Sequence, residues 1–287
     1  MKVSYLGPTG TYNEEALLAS VAATPGAEVE LAPQATIFDA IQAVEEGRVE
    51  RAFVPFENSI EGSVRSTLDA LAFDTSGVRI VGEYDHPIRH NLIARGPLEL
   101  SEIEVVLSHP QANAQCARFV REQVPQAEVR AIASTSDGVR QVAGSERPWA
   151  ALGSAAAARA FDCTILREGV EDVADNVTRF VWLTHDDFRP ERVAGEPWRT
   201  TLVFYELGED RPGALVEALQ EFSSRGVNMT RIESRPRREG LGSYLFFIDL
   251  EGAEDDPAQA EAIAALRDSA ETVRLLGSYP LAGPAPI

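Results

Sequence analysis

Lys2-Val3-Ser4-Tyr5-Leu6-Gly7-Pro8-Thr9-Gly10-Thr11-Tyr12 is a short apolar run that breaks into glycines and leads directly into the amphipathic stretch Asn13–Ala23. The residue types predict a strand over Lys2–Leu6, a glycine-rich loop over Gly7–Tyr12, and a helix capped by Asn13. A second helix follows, with Thr36 as its cap, Asp39 three residues on, Ile37, Ile41 and Val44 on one face and Gly47 as its stop. Arg51–Pro55 then reads as a strand ending in a loop. The cycle continues with strands near 79–84, 89–94, 103–108, 128–132, 149–152 and 178–184, and helices near 63–72, 111–123, 135–143 and 154–161. Strands alternating with helices to about residue 183 are the pattern of an α/β domain with largely parallel strands.

Residues 185–198 are polar, carry Pro190 and Pro197, and show no period, which predicts a linker. Beyond them come a strand at Thr200–Leu207, a helix at Gly213–Arg225, strands at Val227–Ser234 and Ser243–Leu250, a helix at Pro257–Asp268 and a strand at Thr272–Tyr279. The order β-α-β-β-α-β describes a ferredoxin-like module.

At 287 residues the chain is long enough for about two domains, each with its own core. The 26 basic against 45 acidic residues give a net charge of −19, the wrong sign for neutralising nucleic-acid phosphates or docking on an anionic membrane. Lys2 is the sole lysine; arginine supplies the rest, which fits either an acid-rich, high-salt cytoplasm or a genome favouring arginine codons. Cys116 and Cys163 lack the grouping of a zinc site or a disulfide framework, and the first residues reach Gly7-Pro8 before an apolar signal core could form. The expectation is a cytoplasmic protein with inert thiols. The histidines, His86, His90, His109 and His185, form no metal-ligand pair, and no Gly-x-Ser-x-Gly elbow is present, so neither a metal nor acyl-transfer chemistry is indicated.

Four polar clusters each lie at a predicted strand end, where loops of open α/β sheets converge on a ligand crevice. They are Gly7–Tyr12; Val54-Pro55-Phe56-Glu57-Asn58-Ser59; Ser108-His109-Pro110-Gln111 with Gln115; and Asn176-Val177-Thr178-Arg179-Phe180. Individually each also reads as a turn, a cap or a structural residue: Glu57-Asn58-Ser59 as a capped turn, His109 as a hydrogen-bonded structural histidine, Arg179 as one half of an ion pair.

In this order, and followed by Glu233-Ser234-Arg235-Pro236 in the C-terminal module, the clusters resemble the prephenate dehydratase family over nearly the whole chain. The resemblance implies a two-lobed, type II periplasmic-binding-protein-like catalytic domain over residues 1–184, with lobes at about 1–78 plus 160–184 and 79–159, and an ACT domain over 199–287. It implies decarboxylating dehydration of prephenate to phenylpyruvate without a cofactor. Thr178 of the Thr178-Arg179-Phe180 motif would be the proton donor to the leaving hydroxyl, with His109 the conventional rival. Arg179 would grip a substrate carboxylate, Thr11, Asn58, Ser59, Ser108 and Gln115 would supply neutral donors, and His109 and Gln111 of the third cluster would also bind substrate. Glu57 would orient Asn58 or a loop amide rather than touch a dianion. The implied allosteric ligand is L-phenylalanine, held by Gly213, Ala214 and Leu215 at a helix start marked by Asp210 and Pro212, by Glu233, Ser234, Arg235 and Pro236, and by Asn228 and Thr230 between them. ACT modules pair side by side, which implies a homodimer or homotetramer. Two positions depart from the family pattern: Gly242-Ser243 stand where a Trp-Glu is common, and Asn13 replaces a serine. Arogenate dehydration, and a non-catalytic amino-acid sensor built on the same cleft, remain open at this level.

Overall fold

The computed structural model describes residues 1–24, 26, 28–192, 195–208, 211–281 and 286. In chain order the elements are β1 (Lys2–Leu6), α1 (Tyr12–Ala22), β2 (Glu30–Gln34), α2 (Ile37–Glu45), β3 (Arg51–Asn58), β4 (Gly62–Ser63), α3 (Arg65–Asp69) with a π-turn to Asp74, and β5 (Val78–Pro87). Then follow β6 (Asn91–Ala94), β7 (Val105–Ser108), α4 (Pro110–Gln115), α5 (Ala117–Gln123), β8 (Glu128–Ala131), α6 (Thr135–Ala143), β9 (Trp149–Gly153), α7 (Ala155–Ala160), β10 (Thr164–Arg167) and β11 (Val177–His185). The C-terminal module is β12 (Trp198–Tyr205), α8 (Ala214–Ser223), β13 (Met229–Pro236), β14 (Tyr244–Glu251), α9 (Pro257–Ser269) and β15 (Thr272–Pro280).

Local sequence accounts for most boundaries. Thr36 Oγ1 accepts from the Asp39 amide at 3.0 Å and caps α2, whose Ile37, Ile41 and Val44 are buried, and Gly47 ends the turn at φ 67°. Ser134 and Ser154 cap α6 and α7 in the same way. The cap of α1 is Thr11 and not Asn13: the Thr11 side chain accepts from the Glu14 amide, which moves the helix start one residue earlier and turns Asn13 into an interior residue. Glu14 anchors the preceding loop by accepting from the Gly10 amide at 2.6 Å and the Tyr5 hydroxyl at 2.9 Å.

Other expectations shift. The strand read as ending at Pro55 runs on to Asn58, so the second cluster is strand rather than loop. The helix read over 111–123 is two short helices broken at Cys116, whose backbone is non-helical (φ −117°, ψ 16°). β2, with Pro33 inside it and no clean alternation, and the four-residue β10 left no periodic signal. The α8 cap is Gly213 at φ 90° with no side-chain bond, and Asp210 lies outside the described residues.

The strands form two mixed sheets rather than largely parallel ones. In the first, β2, β1 and β3 are parallel neighbours, and β11 runs antiparallel between β3 and β5. In the second, β9, β7 and β8 are parallel and β6 and β10 antiparallel. Sheet membership moves the lobe edges: β5, expected to open the second lobe, belongs to the first sheet, and β10, expected in the first, belongs to the second.

The C-terminal module adds its β-α-β-β-α-β sheet to the first one, giving a continuous ten-stranded sheet through the β15–β5 pairing Gly277↔Ile80. The core crosses the same junction: Val203, Leu245, Phe247, Leu276 and Tyr279 pack with Ile41, Val54, Phe56 and Leu183 in one cluster. The other face of the module is covered by α8 and α9 around Leu202, Phe204, Phe222, Ile248 and Leu266. Among the described residues no helix is long and apolar enough to cross a membrane.

Gly277 is where the sheets touch, and a Cβ there would lie 2.2 Å from the Ile80 carbonyl oxygen, inside any allowed contact. Gly277→Ala therefore forces the β5–β15 junction apart. At about 1–3 kcal/mol for overpacking, the melting temperature falls by about 3–10 °C in a calorimetric scan.

Candidate active site in the cleft between the lobes

A cavity of about 860 Å³ opens between the two sheets. Its walls are the Gly7–Asn13 loop and start of α1, the tail of β3, the head of β11, the crossover residues Ile88 and His90, and the N-terminal ends of α4 and α6. Because β11 is antiparallel to β3, the head of one lies beside the tail of the other, with Thr178 opposite Asn58 and Arg179 opposite Glu57. Successive side chains of a strand point to opposite faces, so Thr178 and Phe180 line the cavity and Arg179 points away from it.

The cavity face is held by side-chain amides. Asn58 Oδ1 accepts from the Ile60 and Glu61 amides, both at 3.0 Å, leaving Asn58 Nδ2 to donate to Thr178 Oγ1 at 2.9 Å and Asn176 Oδ1 at 2.7 Å. Asn176 Nδ2 donates to Gln115 Oε1 at 3.2 Å, and His90 Nε2 meets the same oxygen at 2.9 Å. His90 Nδ1 lies 2.7 Å from the Tyr12 hydroxyl. Burial holds the His90 imidazole below its ordinary range, although the Gln115 bond and the Glu171 charge pull it upward. Burial, with Glu15 nearby, raises the Tyr12 phenol, so both groups are neutral near pH 7.

Of the residues singled out in the sequence, Thr11, Asn58, His109, Gln111, Gln115, Thr178 and Phe180 line this cavity. His109 Nδ1 accepts from the Gln111 amide at 3.3 Å and so also caps α4. Ser108 is fully buried, donating to the Leu152 carbonyl at 2.9 Å, beneath the cavity rather than in its wall. Ser59 ties β3 to β11, its Oγ accepting from the Val177 amide at 3.0 Å.

Arg179 corrects the sequence reading most sharply. Its guanidinium donates to Asp249 at 2.7 Å and Glu57 at 2.9 Å and reaches Glu83 at 3.5 Å. Arg199 also pairs with Glu83, and Arg231 approaches Glu57 and Asp249 at 3.8 and 3.9 Å. Arg179 and Arg231 both lie over the Phe56 ring at 4.9 Å. Burial pulls the Arg179 guanidinium down, but Asp249 and Glu83 overcome it and the net shift is upward, so the charge is permanent. Arg179 is thus committed to carboxylates of the protein, three of them at the junction with the C-terminal sheet. Glu57 holds Arg179, while backbone amides orient Asn58. No arginine or lysine lines the cavity among the described residues, whereas Glu61 and Asp137 do. An anion in this cavity would therefore meet neutral side chains and the starts of α1 and α6 rather than a basic side chain. No group of His, Cys, Asp and Glu suited to a metal occurs among the described residues.

Tyr12, His90 and Asn176 were not expected as site residues. Tyr12 and Asn176 lay within quoted clusters. His90 fell inside a strand predicted over 89–94, but in the structure it occupies the break between β5 and β6, which only the chain crossing creates.

A second cavity of about 270 Å³ lies at the start of α8, walled in part by Gly213, Ala214, Leu215, Gly242, Tyr244 and Phe246. Gly242, the position departing from a common tryptophan, is in its wall. Ser234 and Pro236 sit across the ladder from Phe246 and Tyr244, one strand beyond the wall. Asn228, Thr230, Glu233 and Arg235 are not in that wall. Thr230 Oγ1 donates to the Asp249 carbonyl at 3.3 Å, and Arg235 donates to Asp69 from Nη2, to both carboxylate oxygens at 2.7 and 2.8 Å, and from Nε at 3.2 Å, against α3 of the first lobe.

Comparison with known proteins agrees with this architecture. The family described as prephenate dehydratase matches residues 3–188, and the ACT domain matches residues 201–268. The chain belongs to the prephenate dehydratase family. A prephenate dehydratase of Mycobacterium tuberculosis is 38% identical over 292 residues, covering 99% of this chain and 88% of that one. The crystal structure of prephenate dehydratase from Arthrobacter aurescens in complex with L-Phe superposes with a TM-score of 0.86 at 38% identity, covering 100% and 94% of the two chains. A structure described as GqqA, a novel type of quorum quenching acylase, superposes at 0.84 with 31% identity and 98% coverage of both chains.

The ion cluster makes a definite prediction. Arg179→Met strands the buried Asp249 without its main counter-ion and costs about 3 kcal/mol or more in urea unfolding. Arg179→Lys, which keeps a charge at the junction, leaves the substrate KM within about twofold, whereas a carboxylate-gripping arginine would raise it far more.

Proposed function

We propose that the cleft catalyses decarboxylating dehydration of prephenate with Thr178 as proton donor, under feedback inhibition by L-phenylalanine at the ACT domain. The observation that carries the reading is the Asn58 Nδ2 to Thr178 Oγ1 bond of 2.9 Å. Because Asn58 donates, the hydrogen of the Thr178 hydroxyl is left for a partner in the cleft.

The reaction breaks the bond between the ring and its carboxylate and shifts the electron pair through the diene. The bond to the ring hydroxyl then breaks, giving carbon dioxide, water and an aromatic ring. Aromatisation supplies the drive, and the poor leaving group sets the barrier. Thr178 protonates the departing oxygen, Asn58 Nδ2 supports the charge left on Oγ1, and water restores the proton through the open cleft. The substrate carboxylates are received by uncharged donors. Gln115 Nε2, buried and without a protein partner among the described residues, is one of them.

Arogenate, with an ammonium in place of the keto oxygen, is a second reading favoured by Glu61 in a cavity wall that holds no arginine or lysine among the described residues. Amide hydrolysis finds less support. Ser108 and Ser134 of the cleft region are taken up by Leu152 and the α6 cap, no serine bonds a histidine among the described residues, and burial raises the Cys116 thiol.

The test is purified protein with prephenate and with arogenate, following the aromatic product. Thr178→Ala lowers kcat by about 10²–10⁴-fold, and Thr178→Ser keeps it within about tenfold. A rate untouched by Thr178→Ala rules the threonine out as the acid.

L-Phenylalanine lowers the wild-type rate and raises the melting temperature. Ala214→Trp, which fills the smaller cavity, removes both effects and leaves the uninhibited rate within about twofold. Unchanged inhibition in that variant would place the ligand elsewhere.

A further inference from the structure

We propose that His90 is a positioning residue of the cleft: as the Nε2–H tautomer, with the Tyr12 hydroxyl on Nδ1, it turns the Gln115 carboxamide so that its NH2 faces the substrate. The inference rests on the dehydratase reading for its effect on rate, but not for the tautomer itself.

The assignment follows from two backbone amides. The Ile60 and Glu61 N–H groups both point at one atom of the Asn58 side chain, which must therefore be the oxygen. The other end of Asn58 is then a donor, so the Asn176 atom 2.7 Å away is an oxygen. Asn176 in turn presents its NH2 to Gln115, whose facing atom is Oε1. An oxygen can only accept, so His90 Nε2, 2.9 Å from it, carries a hydrogen. In the neutral ring Nδ1 is then bare and accepts from Tyr12 OH at 2.7 Å. Geometry thus decides amide orientations and a tautomer that are otherwise open.

The consequence lies at the far end of Gln115. With Oε1 held by two donors, Nε2 is the free end, and it is buried and unpartnered among the described residues. The chain runs from α1 in the first lobe through His90 on the crossover to α4 in the second, so it also joins the two walls of the cleft. Burial keeps His90 neutral against the pull of the Gln115 bond and the Glu171 charge; its ring meets Tyr12 and Gln115, its amide donates to Glu171 Oε2 at 2.9 Å, and Arg89 pairs with Glu171 at 2.9 Å, offsetting that charge. Protonation of Nδ1 would turn the Tyr12 hydroxyl to the Arg89 carbonyl, also 2.9 Å away, without freeing Gln115.

The test has two arms. In full-length protein labelled with ¹³C and ¹⁵N, with the His90 ring assigned by triple-resonance correlations to its own backbone, neutral-pH NMR is expected to show a bare imine nitrogen at Nδ1 and a protonated Nε2. A protonated Nδ1, in either the other tautomer or the cation, overturns the proposal even if no variant folds. In kinetics, His90→Gln keeps an N–H near the Nε2 position, and its kcat is expected within about threefold of wild type. His90→Asn, which mimics Nδ1 instead, and Tyr12→Phe are expected to lose about tenfold in kcat with KM changed less than about twofold. Equal rates in the Gln and Asn variants would make His90 a packing residue and overturn the proposal. Absence of turnover in the wild-type protein would sink the dehydratase reading, and the NMR arm would still decide the tautomer.

Discussion

Strands β3 and β11 face two environments at once. On one side they present Asn58 and Thr178 to the cleft, and on the other Glu57 and Arg179 to the C-terminal sheet, each pair directly opposed across the ladder. Asp249 has no exposed surface and Arg179 is 8% exposed, so both charges have left water and each is tolerated only while the other stays in place. Exchange of the two faces by a one-residue slip would put an arginine in the cleft and a threonine among buried carboxylates. The ion cluster therefore pins the register that sets the distance from Asn58 to Thr178.

The same cluster makes the C-terminal module part of the catalytic lobe. Asp249, Arg231 and Arg199 come from three strands of that module, while Glu57, Glu83 and Arg179 come from three strands of the lobe. A shared apolar cluster and a continuous sheet run beside them. Displacement of β14 acts directly on Arg179, whose chain neighbour is Thr178. Contact between the regulatory and catalytic parts is thus a matter of adjacent residues on one strand, and Arg235 on Asp69 adds a second tie.

Removal of Arg179 from the cleft changes its electrostatics. A net charge of −19 is compatible with an anionic ligand in the proposed function, because salt screens distant charges over about 8–10 Å and local dipoles decide. In the proposed function, the work of an arginine is assigned to oriented amides: helix starts, the Asn58–Asn176–Gln115 chain, and the loop held by Glu14. Such donors must be aimed, since neutral groups bind anions only at hydrogen-bonding distance.

What the sequence determined by itself was most of the elements, though not β2, β10 or the break at Cys116, and the chemistry-bearing clusters. Thr36 and Gly47 are legible because capping is a contact within three or four residues, and the β-α-β-β-α-β order of the last third is legible because each element has its own period. The motif around Thr178 was legible as a motif. Tertiary structure alone decided which face of β11 meets which partner, because strand alternation says that Thr178 and Arg179 part company but not which of them meets the cleft. It also decided the contacts of His90, whose partners lie 25 and 78 residues away, and the lobe edges, which depend on β5 and β10 choosing sheets. Those choices are made by long-range pairing and burial, and no window of local sequence contains them.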